Sequence, residues 1–356
     1  MLEMRNVAKQ VGGEHHLYPT NLALERGSLN VLLGPTLAGK TSLMRLMAGL
    51  DRPTSGSLHF DGVDVTGVPV QKRNIAMVYQ QFINYPLLTV YENIASPMRI
   101  SGKDAATIDR EVRKAAELLR LTSYLDRTPG HLSGGQQQRT ALARALVKNA
   151  SLVLMDEPLA NLDYKLREEL REELPKIFAA SGAIFVYATT EPSEALLLGG
   201  NTATLSEGRV TQFGPTIGVY RQPADLVTAR TFADPPLNLI EVTKSGGEFR
   251  QNGRVSLAVP QHLLSMADGP VTVAFHPHHL GFASQAPGSA RLAATTQISE
   301  ITGSESFVHL EFNGVKWVML APGIHDIDPD TGIEVYLDTR HLMAFGPDGH
   351  AIAGTA

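Results

Sequence analysis

The sequence predicts an α/β domain followed by a small all-β domain. Two observations carry this. Short apolar β-runs alternate with helical patterns through the first two-thirds of the chain, and from about Pro235 short β-runs separated by Gly, Pro and Asp take over. A chain of 356 residues with 43% hydrophobic composition supports two cores, because compact domains mostly run between about 50 and 250 residues. The boundary is expected within Ala233–Pro236, giving domains 1–234 and 235–356, since two consecutive prolines cannot continue a helix and restrict the residue before them.

In chain order, Ser28 to Leu33 reads as an apolar strand that feeds a glycine-containing turn and a helix from about Lys40 to Leu50. Asp104 is placed to cap a helix with Ile108, Val112, Ala116 and Leu119 on one side. Thr140 to Lys148 carries alanines and leucines at helical spacing. Leu152 to Met155 and Ala183 to Ala188 read as strands, ending respectively in Asp156-Glu157 and Thr189-Thr190-Glu191; strand ends are where such sheets place chemistry. In the tail, Val271–Phe275, Phe307–Phe312, Val315–Leu320 and Val335–Leu337 read as strands.

Composition narrows the partners. A formal charge of −5 lacks the basic excess of a phosphate-backbone binder, so nucleic acid is not expected. The chain has no cysteine, which removes disulfides and thiolate metal sites and is compatible with a reducing compartment. The opening MLEMRNVAKQ lacks the basic start and apolar run of a secretory signal, so no export cleavage is expected. The longest apolar runs fall far short of the roughly 20 residues that span a bilayer. Work at a membrane would therefore need a membrane-spanning partner.

Gly34-Pro35-Thr36-Leu37-Ala38-Gly39-Lys40-Thr41, with Ser42 behind it, fits the phosphate-loop pattern in the right context, after a strand and opening a helix. Backbone N–H groups there can wrap the phosphates of ATP. Lys40 would set its ammonium against the terminal phosphates, and the Thr41 hydroxyl would hold Mg²⁺. Asp156 would ligate the same Mg²⁺ directly or through water, leaving Glu157 to orient the attacking water. A solvated acidic turn is the bland alternative for Asp156-Glu157, and the phosphate loop argues against it.

Between these lies Leu132-Ser133-Gly134-Gly135-Gln136-Gln137-Gln138-Arg139. This stretch resembles the signature of ATP-binding-cassette ATPases, in the order that family shows. The resemblance implies an ABC-type nucleotide-binding domain with a helical subdomain, two cassettes sandwiching ATP, and Ser133, Gly134, Gly135 and Gln136 reaching nucleotide held by the other subunit. It further implies that Gln80 senses Mg²⁺ and the attacking water and that Tyr85 to Ile94 receives membrane-domain coupling helices. Asp163 in Leu159-Ala160-Asn161-Leu162-Asp163 would cross the dimer interface; its bland reading, a helix cap, is compatible with that.

Pro235-Pro236-Leu237-Asn238-Leu239-Ile240 and the β-rich tail are similar to importers of the maltose and glycerol-phosphate type, whose extra domain is oligonucleotide-fold-like and serves dimerisation or regulation. That resemblance implies two membrane-spanning permease subunits, a solute-binding protein acting indirectly, and a peripheral place on the cytoplasmic face of the inner membrane. The solute would be glycerol or another polyol, a glycerol phosphate, or a sugar. Phe275-His276-Pro277-His278-His279-Leu280 departs from the pattern usual there. Its three histidines invite a metal reading, but a turn after a strand is the better one, because zinc needs three or four converging ligands.

Other departures cluster at the nucleotide. Thr190 stands where the family has a histidine on the γ-phosphate, and a hydroxyl cannot reproduce the imidazole's reach or charge-assisted hydrogen bond. Leu37 replaces a glycine, and would be strained at positive φ. Val11 falls near the usual adenine-stacking aromatic, for which His15, His16 or Tyr18 are substitutes. These changes suggest a heterodimer in which this chain lends an intact signature to a second, competent ATPase subunit. The competing accounts are a homodimer that tolerates Thr190 through water and a regulatory subunit that binds ATP without turnover. A cassette ATPase acting on DNA or the ribosome is the rival outside transport, and neither tandem cassettes nor a coiled-coil insertion is evident.

Overall fold

A computed structural model describes residues 1–81, 83–160, 162–251, 254–284 and 286–352; Asn161 of the expected interface loop lies outside them. The chain divides into two compact units, Met1–Thr216 and Ile217–Ala356.

In the first unit, β1 (Leu2–Val11), β2 (Glu14–Leu24), β3 (Leu29–Leu33), α1 (Lys40–Ala48), β4 (Ser55–Phe60), β5 (Val63–Asp64), β6 (Ile75–Val78), α2 (Val90–Ile100), α3 (Ala105–Leu118), α4 (Gly134–Val147), β7 (Leu152–Asp156), α5 (Tyr164–Ser181), β8 (Ile184–Thr189), α6 (Pro192–Leu198), β9 (Asn201–Ser206) and β10 (Arg209–Pro215) follow in order. Among the described residues they form a six-stranded sheet, β10-β9-β3-β8-β7-β6, and a four-stranded antiparallel sheet, β2-β1-β4-β5. In the larger sheet every pairing is parallel except that of the edge strand β10 with β9. Each residue of β3, β7 and β8 is buried, which explains why they read as near-continuous apolar runs, broken in β3 only by the hydrogen-bonded Asn30: a parallel sheet is covered on both faces. β2 alternates instead, with Leu22 and Leu24 in the core it shares with Leu43, Met44, Leu46 and Met47 of α1.

Register decides the chemistry. Leu33 pairs with Thr189, and Asp156 with Ala188. The segments beginning at Gly34, Glu157 and Thr190 therefore leave the sheet at one edge, the carboxyl end where open α/β sheets bind ligands.

Helix ends follow local rules. Asp104 caps α3 by accepting from the Thr107 N–H, with Ile108, Val112 and Ala116 buried along the helix. The first helix stops at Ala48, short of Leu50, because Gly49 takes φ 72° and turns its N–H back onto the Arg45 and Leu46 carbonyls. The helix expected from Thr140 begins at Gly134, set by a capping box in which Ser133 and Gln136 bond each other's backbone N–H. Two glycines in its first turn hide that start from a propensity reading.

The second unit holds α7 (Thr216–Arg221, opening on the last residue of the first unit), α8 (Leu226–Thr231), β11 (Asn238–Ser245), β12 (Glu248–Gln251), β13 (Arg254–Ala258), β14 (Gly269–Phe275), β15 (Leu280–Gly281), β16 (Ala290–Ile301), β17 (Glu305–Phe312), β18 (Val315–Pro322), β19 (Gly332–Leu337) and β20 (Met343–Phe345). Its described strands form two five-stranded antiparallel sheets, β13-β12-β11-β14-β20 and β15-β19-β16-β17-β18, over one core that includes Phe249, Phe275, Leu310, Trp317 and Val335. Trp317 packs edge-on to Phe275 and stacked on Phe312, and its indole N–H donates 3.0 Å to the Leu239 carbonyl, so its polar atom is satisfied. Residues ahead of the double proline belong to this unit: Ala229 packs with Leu237 and Phe345, and the Leu226 N–H donates to the Gly349 carbonyl.

Candidate active site

The turn after β3 is held so closely that two positions admit only glycine. A Cβ on Gly34 would lie 2.3 Å from the Leu205 carbonyl oxygen; one on Gly39, at φ 103°, would meet the Gly208 Cα and the His16 carbonyl at 3.2 Å. Leu37 adopts φ 67° and is 94% exposed. The strain foreseen for this leucine is present, at a cost of about 1–3 kcal/mol for a non-glycine residue in the left-handed region.

Lys40, buried at the start of α1, donates to the Gly34 and Pro35 carbonyls at 2.7 and 3.0 Å. Burial lowers its pKa, and the charges of Glu157 and Asp156 oppose that shift. The Thr41 hydroxyl donates 2.8 Å to Asp156 Oδ2. Burial raises the Asp156 pKa against the Thr41 hydrogen bond and the Lys40 charge. Glu157 turns out of β7 at φ 47°, with its N–H on the Ala188 carbonyl. Its Oε2 accepts from Gln80 Nε2 at 2.9 Å.

A cavity of about 540 Å³ is lined by Thr36 to Ser42, Gln80, Glu157, His15 and His16. His15 stacks on Tyr18 at 4.4 Å, and the Arg209 guanidinium lies 3.5 Å from the Tyr18 ring centroid. Val11 is half exposed. Arg209 was not foreseen, since nothing in its spacing links β10 to β2.

Ser133, Gly134, Gly135, Gln136, Asp163 and Thr190 do not line this cavity. Ser133 and Gln136 close the capping box of α4. Position alone leaves the first-turn N–H groups of Gly134 and Gly135 without intrahelical acceptors. Asp163 caps α5 through the Leu166 N–H, 3.0 Å away. Thr190 is exposed just past β8. In the Tyr85–Ile94 segment, Leu87 is 90% exposed.

Below Thr190 lies a network that sequence reading missed, because its partners meet only through tertiary structure. Arg171 on α5 donates to Glu191 Oε2 at 2.9 Å and Glu194 Oε1 at 3.2 Å. Buried Glu194 also accepts from Tyr187 Oη at 3.1 Å and Thr189 Oγ1 at 2.6 Å. The Glu191 N–H in turn donates to Thr189 Oγ1. Glu194→Ala leaves the Tyr187 and Thr189 hydroxyls without their acceptor and takes one of several partners from Arg171, so unfolding free energy is expected to fall by about 2–4 kcal/mol. Urea denaturation followed by circular dichroism measures this.

Among the described residues, no group of three or more His, Asp or Glu converges as a metal centre would require. Pro277–His279 is a short 3₁₀ turn after β14, as the alternative to a metal reading expected. None of the described helices is long and apolar enough to cross a membrane.

Comparison with known proteins identifies the family. A family model described as ABC transporter matches residues 17–160. The sn-glycerol-3-phosphate import ATP-binding protein of Salmonella typhi is 34% identical over 349 residues, covering 96% of this chain and 97% of the relative. The trehalose/maltose import ATP-binding protein of Thermococcus litoralis is 36% identical over 341 residues, covering 91% and 92%. A dimeric ATP-binding cassette solved in a post-hydrolysis state with ADP and Pi superposes with TM-score 0.56 at 28% identity, over 61% of this chain and 99% of its own. The chain belongs to the ABC transporter family, as an ATP-binding-cassette ATPase with a β-rich C-terminal unit.

Proposed function

We propose that this chain binds Mg·ATP on the turn after β3 and hydrolyses it to drive import of a small solute through two membrane-spanning permease subunits, from a peripheral place on the cytoplasmic face. The observation that carries the reading is the convergence of Lys40, Thr41, Asp156, Gln80 and Glu157 at one sheet edge. Two relatives of similar length named for import support its direction.

Lys40 exchanges its two loop carbonyls for phosphate oxygens, a stronger, charge-assisted pairing. Thr41 and Asp156, already 2.8 Å apart, offer oxygen ligands to Mg²⁺. Asp156 would be held ionised beside such a cation, against the burial that raises its pKa. Gln80 orients the Glu157 carboxylate, which aligns and polarises the attacking water. The stacked His15–Tyr18 pair is a platform for adenine. Ser133, Gly134, Gly135, Gln136 and Asp163, away from this cavity, serve nucleotide held by a second cassette. The β-rich unit contributes to dimerisation or regulation.

The second cassette is a different chain in this reading, because Thr190 presents no imidazole. The solute is a polyol, a glycerol phosphate or a sugar, the class in the relatives' names. Purification from the native membrane with identification of every stoichiometric subunit tests the assembly; absence of permease subunits refutes transport, and two copies of this chain alone refute the heterodimer. Thr190→His tests the pocket. Supplying the missing donor is expected to raise the steady-state ATPase rate of the isolated chain by about 10²-fold, and an unchanged rate refutes that role for position 190.

A further inference from the structure

We infer that the second unit carries a binding site for a small organic oxyanion, built from His276, His278, His279 and His341 with Tyr220 and Arg221. These side chains and Met343 line one cavity of about 380 Å³. His276 and His278 stack at 5.3 Å, His278 and His279 meet edge-on at 4.3 Å, and His279 stacks on His341 at 4.6 Å. Tyr220 lies 5.2 Å from His276. The two turns that supply the histidines are tied together by the Asp338 N–H donating to the His279 carbonyl.

Three features select the ligand. The Nδ1 of His279 is buried without a hydrogen-bond partner, and buried polar atoms are ordinarily paired. The four imidazoles do not converge as metal ligands. Burial lowers the pKa of His276 to about 4 and that of His279 to about 3, and lowers that of His278 as well. At neutral pH the His276 and His279 rings are uncharged, and each carries one N–H donor. Arg221 supplies a fixed positive charge. The nearby carboxylate of Asp338, 3.8 Å from His341, is already held by Arg340 at 2.7 Å. Donors with a net positive charge suit an oxyanion, and the Tyr220 ring and Met343 suit its organic part.

The charge linkage has a definite sign. A bound anion favours imidazolium, so pKa values rise on binding and protons are taken up. Affinity increases as pH falls through the raised values and is level above them.

The test uses the full chain saturated with MgADP, so that the phosphate loop is occupied. Sulfate and phenyl sulfate are the probes, since their charge is constant across the accessible pH range. Histidine ring NMR signals, assigned with single His→Phe variants, report the site, and calorimetry in buffers of different ionisation heat reports proton uptake. Saturable shifts of His279 and His341, tighter binding of phenyl sulfate than of sulfate, proton uptake, and about tenfold weaker binding in Arg221→Gln are expected. Unmoved signals from all four histidines, or stoichiometric Zn²⁺ binding that shifts them together, would overturn the proposal.

Discussion

Glutamine in place of Glu157 is expected to slow ATP hydrolysis by about 10²–10⁴-fold, the usual contribution of a positioned proton-transfer group, while nucleotide affinity stays nearly unchanged. The glutamine side chain keeps the volume and an oxygen able to accept from Gln80, which now lies 2.9 Å from Oε2. What it loses is the charge proposed to polarise the attacking water. Phosphate-release kinetics beside a fluorescent-nucleotide titration separates the two effects. Parallel loss of binding and turnover would instead make Glu157 a structural residue of the loop.

Lys40→Ala is expected to weaken ATP binding by about 10–100-fold, the range for losing a charged hydrogen bond in a buried site. The charges of Glu157 and Asp156 both act on Lys40. Removing it leaves two carboxylates facing a polyphosphate, and it removes the donor now held by the Gly34 and Pro35 carbonyls. Isothermal titration with Mg·ATP measures the change, and an unaltered Kd would detach Lys40 from nucleotide binding.

Legibility of this molecule followed sequence distance. β3, β7 and β8 could be read because a strand covered on both faces is a mostly apolar run, and the groups that follow them gather at one edge by the rule of parallel sheets. The conditional reading of Leu37 was resolved by its φ of 67°. The pairing of β1 with β4 and the Arg171–Glu194 network could not be read, since each joins residues whose own stretches carry no trace of the partner. The histidine turn was half visible: His276, His278 and His279 stand together in sequence, whereas His341 and Tyr220 join them only through folding.

The single tryptophan of the chain gives the molecule an optical asymmetry. Trp317 is 1% exposed and wedged between Phe275 and Phe312, so its emission is that of an indole shielded from water, and reddening of the spectrum signals disruption of the β-rich core around it. The nucleotide pocket in the first unit has no such chromophore. Tryptophan emission is therefore a gauge of one unit by itself, and a loss of ATP turnover unaccompanied by a change in that emission belongs to chemistry or to the first unit, not to collapse of the second.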